Sequence, residues 1–143
     1  MKSIYMIGSL RNPMIGEYAE TLRKLGWDVF SDWWSAGPQA DDCWRDHERL
    51  KGNDQVTALE SWASRHVFEF DKRHLDRCDE AVLILPAGKS CCIELGYMIG
   101  KGKAGFIVLD GDPDRYDVMF TFATAVFISF DEFITYMKGR ELQ

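Results

Sequence analysis

The chain has 143 residues and a formal net charge of -6, with 46% hydrophobic and 28% charged residues. This composition is typical of one folded domain, expected over residues 1–143, and excludes a disordered chain. The acidic balance excludes non-specific binding to a nucleic-acid polymer, and no apolar run approaches the roughly 20 residues that span a membrane.

The cysteines favour a reducing compartment. Cys43, Cys78, Cys91 and Cys92 match no zinc-binding pattern, and the adjacent pair cannot easily form its own disulfide. We therefore expect a cytoplasmic protein with reduced thiols, no metal and no cofactor.

Short apolar segments alternate with helical ones along the chain. The predicted elements are strand 4–7, helix 13–25, strand 27–30, a possible short helix 41–50, helix 55–76, strand 81–85, helix 91–101, strand 105–109, strand 125–128 and helix 131–138. Three strands are continuous apolar runs, as in strands buried on both faces. The alternation predicts an α/β fold with a doubly wound, flavodoxin-like or Rossmann-like five-stranded parallel sheet in the order 2-1-3-4-5.

One stretch, residues 35–53, is polar and rich in turn-forming residues. Long loops in compact domains are often functional, so we expect this stretch to form a lid or rim.

In a sheet of this order, ligands bind beyond the carboxyl ends of strands one and three. The loop after strand one contains Gly8, which allows close backbone approach, and the donors Ser9 and Arg11. This pattern indicates a cradle for an anion or a sugar, although a plain turn with a solvated arginine fits as well. NAD bound in the manner of dehydrogenases is not expected, because the G-x-G-x-x-G spacing is absent.

The loop after strand three carries Gly88 and Ser90 and leads to Glu94, in the first turn of the predicted helix. The apolar neighbours of Glu94 imply partial burial, which makes it a candidate catalytic carboxylate; a surface glutamate that favours the helix dipole is the alternative. Asp71, on the preceding helix, is either a site residue or one of several exposed charges. Asp32 and Trp33, at the end of strand two, are expected at the edge of the crevice, where an indole can stack on a base.

Three segments together resemble the nucleoside 2-deoxyribosyltransferases over roughly residues 4–110: Ile4–Leu10, Glu94–Tyr97 followed by Gly100–Lys103, and Asp71 placed eight residues before Asp79. The resemblance implies cleavage of an N-glycosidic bond, with Glu94 as the nucleophile at the anomeric carbon. It also implies that Tyr5 orients this carboxylate, that Asp71 assists departure of the base, and that Asp32 or Trp33 contacts the base.

The sequence departs from this family at two positions and in the tail 138–143, where the family's carboxyl-terminal contribution is not recognisable. Gly88 stands where the pocket loop usually has Asp or Ser, with Ser90 nearby, and Asp117 stands where the transferases use an asparagine from a neighbouring subunit. The family assembles from several copies, so we expect a homo-oligomer acting on a small nucleoside or nucleotide.

The loop Gly8–Arg11 also resembles that of the related 2-deoxynucleoside 5-phosphate N-hydrolases, in which the serine and arginine hold the phosphate. Transfer of the sugar to another base and hydrolysis therefore both stay open. Two further hypotheses are a TIR-like NAD glycohydrolase and a non-catalytic nucleotide-binding module on the same fold.

Overall fold

The computed structural model describes residues 1–141, whose five strands form one parallel sheet. The strands are β1 (Ser3–Ile7), β2 (Asp28–Phe30), β3 (Glu80–Ile84), β4 (Ala104–Val108) and β5 (Ala125–Phe127). The α-helices are α1 (Ile15–Lys24), α2 (Ala40–Leu50), α3 (Gln55–Ala58), α4 (Trp62–Arg77), α5 (Lys89–Gly100) and α6 (Phe130–Glu141). The strand order is β2-β1-β3-β4-β5, which confirms the predicted doubly wound architecture.

Side chains of β1 alternate between two buried clusters on opposite faces of the sheet. Ile4 and Met6 pack with α1 and α6, whereas Tyr5 and Ile7 pack on the other face, with α4 and α5. Neighbouring strands β2 and β3 pair with the two edges of β1, and helices cover both of its faces. Tyr5 therefore points toward the two helices that carry the candidate carboxylates.

The single helix predicted over residues 55–76 is wrong in one respect. The chain forms a short α3 and a longer α4, with a break between them. The Asp54 carboxylate accepts the Thr57 N–H at 2.8 Å, and the Ser61 hydroxyl accepts the Ser64 N–H at 3.3 Å. Each side chain accepts a hydrogen bond from an otherwise unpaired amide at a helix start. These two caps explain why residues 55–76 form two helices instead of one.

The polar stretch 35–53 is mostly helical, because a 3-10 helix covers Asp32–Ala36 and α2 follows it. The possible helix over 41–50 is confirmed. The only buried side chain of α2 is that of Glu48. Helix α2 therefore packs no apolar stripe into the core.

Helix ends follow the expected signals. Gly26 and Gly102 adopt positive φ angles of 97° and 82° just beyond α1 and α5, as a terminating glycine does. Asp79 is structural, since its Oδ2 accepts the Ser3 N–H at 2.9 Å and thereby fixes the entry to β3 beside β1. Among residues 1–141, no helix has the length and apolar character needed to cross a membrane.

Candidate active site

Tyr5 lies in the middle of β1 and is 1% exposed. Its ring lies 4.9 Å from that of Phe30, between centroids, on the face covered by α4 and α5. Burial raises the pKa of Tyr5 far above its usual range, and the charges of Glu94 and Asp71 raise it further. The phenol therefore keeps its proton and acts as a hydrogen-bond donor toward Glu94.

Glu94 lies in the second turn of α5, because the helix begins two residues earlier than the sequence predicts. Its side chain is half-buried, and Oε2 is fully buried with no hydrogen-bond partner among residues 1–141. Burial raises the pKa of Glu94 to about 7; the Tyr5 hydroxyl opposes this by favouring the charged form, and the charge of Asp71 adds to the rise. A carboxyl that titrates near neutral pH in such a setting is a functional-site signal.

Asp71 on α4 is the second carboxyl of the group. It is half-buried, and this burial raises its pKa to about 6. Since its charge affects both Tyr5 and Glu94, the three residues lie within interaction distance of one another. The structure thus brings together the three residues that the sequence predicts as catalytic, and the half-buried side chain of Asp71 is less exposed than the solvated-face alternative implies.

The loop after β1 lies beside α5, because the Cys91 thiol donates to the Gly8 carbonyl at 3.2 Å. A Cβ atom on Gly8 would lie 2.7 Å from Ile15 Cδ1, so close packing explains the glycine without a ligand. Ser9 Oγ accepts the Arg11 N–H at 3.1 Å, and Arg11 Nη2 donates to Asp42 Oδ2 at 3.2 Å. Both predicted anion-binding side chains therefore already have partners.

The residues after β2 have a structural role. Trp33 donates its indole N–H to the Met6 carbonyl at 2.7 Å, and Trp34 donates to the Asn12 carbonyl at 3.0 Å. Both rings are half-buried and pack against the core, which favours the packing interpretation over an open stacking surface. Asp32 is exposed and begins the 3-10 helix, so it does not end β2 as predicted.

Three further predicted residues form no hydrogen bond with Glu94 or Asp71 among residues 1–141. Gly88 precedes α5 with φ of -96°, and a Cβ atom there would meet nothing within 4 Å, so this position does not require glycine. Ser90 is exposed in the first turn of α5. Asp117 is exposed and its Oδ1 accepts the Met119 N–H at 2.9 Å, which starts the 3-10 helix Val118–Phe122.

Two contacts near the site are not evident from sequence. Asp42, on α2, pairs with Arg11 across 31 positions, and Arg45 lies 3.5 Å from the same carboxylate. The spacing of Asp42 and Arg45 suits one helix face, but no periodicity indicates that α2 reaches the loop after β1.

A second network joins α4 to α5 below the carboxylate pair. The Tyr97 hydroxyl donates to Asp76 Oδ1, and Lys101 Nζ lies 2.9 Å from the same oxygen. Lys103 Nζ donates to the Asp76 carbonyl at 2.7 Å. These bonds hold the two helices that carry Asp71 and Glu94 at a fixed separation.

Two cavities lie beside α2 and α3 rather than at the carboxylates. They have volumes of about 500 and 470 Å³, and neither is lined by Tyr5, Asp71 or Glu94. The carboxylate pair therefore lies outside both cavities. Within residues 1–141, no three His, Cys, Asp or Glu side chains are grouped so as to hold a metal ion.

Comparisons with known proteins support the fold. No protein-family model matches the chain, and neither does any curated protein. A 2-deoxyribosyltransferase from Bacillus psychrosaccharolyticus is 19% identical with a TM-score of 0.63, over 92% of this chain and 89% of that one. A CMP N-glycosidase from Clostridium botulinum is 15% identical with a TM-score of 0.56, over 96% and 99% of the two chains.

A conserved protein from Enterococcus faecalis V583 is also similar, at 15% identity and a TM-score of 0.65, over 98% of this chain and 99% of that one. At these identities the likeness is one of fold. The resemblance to nucleoside 2-deoxyribosyltransferases that the sequence predicts is thus confirmed for the fold of the chain.

Proposed function

We propose that this protein cleaves the N-glycosidic bond of a nucleoside or nucleotide, with Glu94 as the nucleophile at the anomeric carbon. The observation that carries the proposal is the grouping of Glu94, Asp71 and Tyr5 on one face of the sheet. Further support comes from the shared fold, since one neighbour is a 2-deoxyribosyltransferase and another is a CMP N-glycosidase.

The attack is a displacement at the sugar. A Glu94 carboxylate oxygen forms an ester bond to the anomeric carbon, the carbon–nitrogen bond breaks, and its electron pair leaves with the base. The transition state has oxocarbenium character, so a nearby carboxylate stabilises its positive charge and then captures the carbon. Oε2 has no hydrogen-bond partner among residues 1–141 but is buried, so the Glu94 side chain must rotate for this atom to reach the sugar.

Asp71 is the proton donor in this scheme. The pKa of Glu94, about 7, lies above that of Asp71, about 6, so the one proton that the pair holds between these two pH values rests mainly on Glu94 in the free protein. As the bond to the base breaks, the positive charge that develops on the sugar favours ionised Glu94, and the scheme requires the proton to move to Asp71 for delivery to the base. Proton donation to a leaving base typically contributes about 10²–10⁴-fold.

The glycosyl ester is resolved by a nitrogen of a second base or by water, which gives transfer or hydrolysis. The test is incubation with a panel of nucleosides and nucleotides, with and without free base, followed by chromatography. A new nucleoside identifies a transferase, and released base alone identifies a hydrolase. Nicotinamide released from NAD would favour the TIR-like activity, and binding without turnover would favour a nucleotide-binding module.

A second copy of the chain completes the site in this proposal. Large apolar side chains are exposed on α3 and the first half of α4, among them Val56 at 74%, Trp62 at 88% and Phe68 at 64%. An exposed apolar face of this kind marks an interface, and α4 also carries Asp71. Light scattering of the purified protein should show a homo-oligomer, and the substitution Trp62→Ser should weaken it. A wild-type protein that is monomeric at micromolar concentration would reject the proposal that a second copy completes the site.

A further inference from the structure

A cluster of four rings connects Tyr5 to helix α4. The Tyr5 ring lies 4.9 Å from that of Phe30 between centroids, and Phe30 is 2% exposed. Phe30 also stacks on the imidazole of His74, with centroids 3.9 Å apart and an interplanar angle of 9°. The ring of Phe70 lies 5.9 Å from that of Phe30 and 4.8 Å from that of His74. These four rings, termed the ring cluster, join α4 to β1 by way of Phe30 on β2.

The same stretch of α4 supplies two of these rings and a carboxyl of the site. Phe70 and His74 are four residues apart on α4, so they lie on one face of the helix. Asp71 follows Phe70 directly and is half-buried. The contacts that hold Phe70 and His74 on Phe30 therefore also fix the part of α4 that carries Asp71.

The imidazole of His74 is neutral in this arrangement. Its Nδ1 accepts a hydrogen bond from Arg77 Nε at 2.8 Å, which requires a ring nitrogen without a proton. Burial lowers the pKa of His74 below its usual value of 6.5, and the charges of Arg77 and Arg73 lower it further. The charges of Asp32 and Asp28 oppose this shift. Arg77 also pairs with Asp28 at 3.0 Å, which ties α4 to the start of β2.

From these contacts we propose that His74 is a positioning residue, whose ring holds Phe30 against Tyr5 so that the Tyr5 hydroxyl is aligned on Glu94. The inference rests on the proposed function and deepens it, by adding a residue that acts through Tyr5 and not on the substrate. A hydrogen bond weakens steeply as its angle departs from linearity. A small tilt of the Tyr5 ring therefore reduces the extent to which its hydroxyl favours ionised Glu94.

Two substitutions separate the ring of His74 from its hydrogen-bonding nitrogen. His74→Asn retains an acceptor at the δ position but removes the ring, whereas His74→Phe retains a ring and removes the acceptor. The measurement is kcat and KM for base release between pH 5 and 9. We expect His74→Asn to lose about threefold or more near pH 6, through kcat rather than KM, and to move the acidic limb to more alkaline pH. His74→Phe should keep the wild-type limb, because the ring is the part that acts.

His66→Asn is the matched control. His66 is exposed on the same helix and lies outside the ring cluster, so this variant should keep the wild-type profile. The effect of His74→Asn should vanish in the Tyr5→Phe background, because no hydroxyl is left to align. Thermal melting of each variant verifies that it is folded. Phe70→Leu removes a ring that is 39% exposed, should move the limb in the same direction, and provides the test if His74→Asn does not fold.

Three results overturn the inference: an unshifted acidic limb in His74→Asn (or in Phe70→Leu, where His74→Asn does not fold), an equal shift in His74→Phe, or an effect of the same size in the Tyr5→Phe background. Carboxyl NMR titration of Glu94 in the same variants measures its pKa without turnover. A pKa that rises in His74→Asn, in a protein that releases no base, supports the role of His74 and rejects the proposed catalysis. Turnover with an unaltered pKa of Glu94 does the opposite.

Discussion

Removal of the Tyr5 hydroxyl should shift the pH dependence of catalysis. The hydroxyl favours the ionised form of Glu94, whose pKa is about 7 in the intact site. A hydrogen bond to a charged group contributes roughly 1.5–3 kcal/mol, and about 1.4 kcal/mol corresponds to one pKa unit. In Tyr5→Phe the pKa of Glu94 should therefore rise by about one unit or more.

The direction of the shift in the pH profile follows from the role of Glu94. The nucleophile Glu94 must be ionised and the donor Asp71 protonated, so the acidic limb of the pH profile reports Glu94, and a higher pKa of Glu94 moves this limb to more alkaline pH. The assay is base release followed by chromatography between pH 5 and 9, with kcat/KM fitted at each pH. We expect a loss of about tenfold near pH 6 that shrinks above pH 8.

Tyr18→Phe is the matched control for this prediction. Tyr18 stacks on Phe130 at 3.8 Å between centroids, on the opposite face of the sheet. Its variant should keep the wild-type profile. A Tyr5→Phe variant with an unshifted acidic limb would refute the role assigned to the Tyr5 hydroxyl.

Three further predictions concern stability and positioning. The folded-state pKa of Glu94, about 7, lies above its usual value of 4.5, so the stability that its protonated form contributes is lost as pH rises from about 4.5 to about 7; Glu94→Gln should raise the free energy of unfolding by up to about 3 kcal/mol at pH 8 and much less at pH 5, measured by urea titration. Ser61→Ala removes the side-chain cap of α4 and should cost about 1 kcal/mol in the same assay, and an unaltered midpoint would argue against the cap. Tyr97→Phe removes the bond to Asp76 between α4 and α5 and should lower kcat more than it changes KM, because it loosens the spacing of the carboxylates rather than substrate contacts; an equal loss through KM alone would contradict a positioning role.

The grouping of Tyr5, Asp71 and Glu94 was expected from the family resemblance, and simple rules explain how the fold allows it. Alternation along a buried strand sets the face of Tyr5, and the strand order places the start of α5 beside the loop after β1. Asp71 and Glu94 reach the same face through the helices on either side of β3. These relations depend on local periodicity and on right-handed crossovers, both of which are visible in sequence.

Other features depend on contacts that carry no periodic signal. The break before Ser61 depends on a hydroxyl that caps one helix start, within a segment whose pattern favours a continuous helix. The pairing of Arg11 with Asp42 depends on where α2 lies relative to the loop after β1, and short exposed ion pairs of this kind are only weakly favourable. The contact of Asp32 with the base and the role of Asp117 at a neighbouring subunit stay predictions. Both side chains are exposed.

The central claim is that Glu94 attacks the sugar, and base release by Glu94→Ala tests it most directly. The measurement is chromatographic, on the preferred substrate of the wild type, with calorimetry to verify that the variant still binds it. The account predicts a fall of about 10⁴-fold or more in kcat, as when a nucleophile is removed. Base release at a rate close to that of the wild type would contradict it.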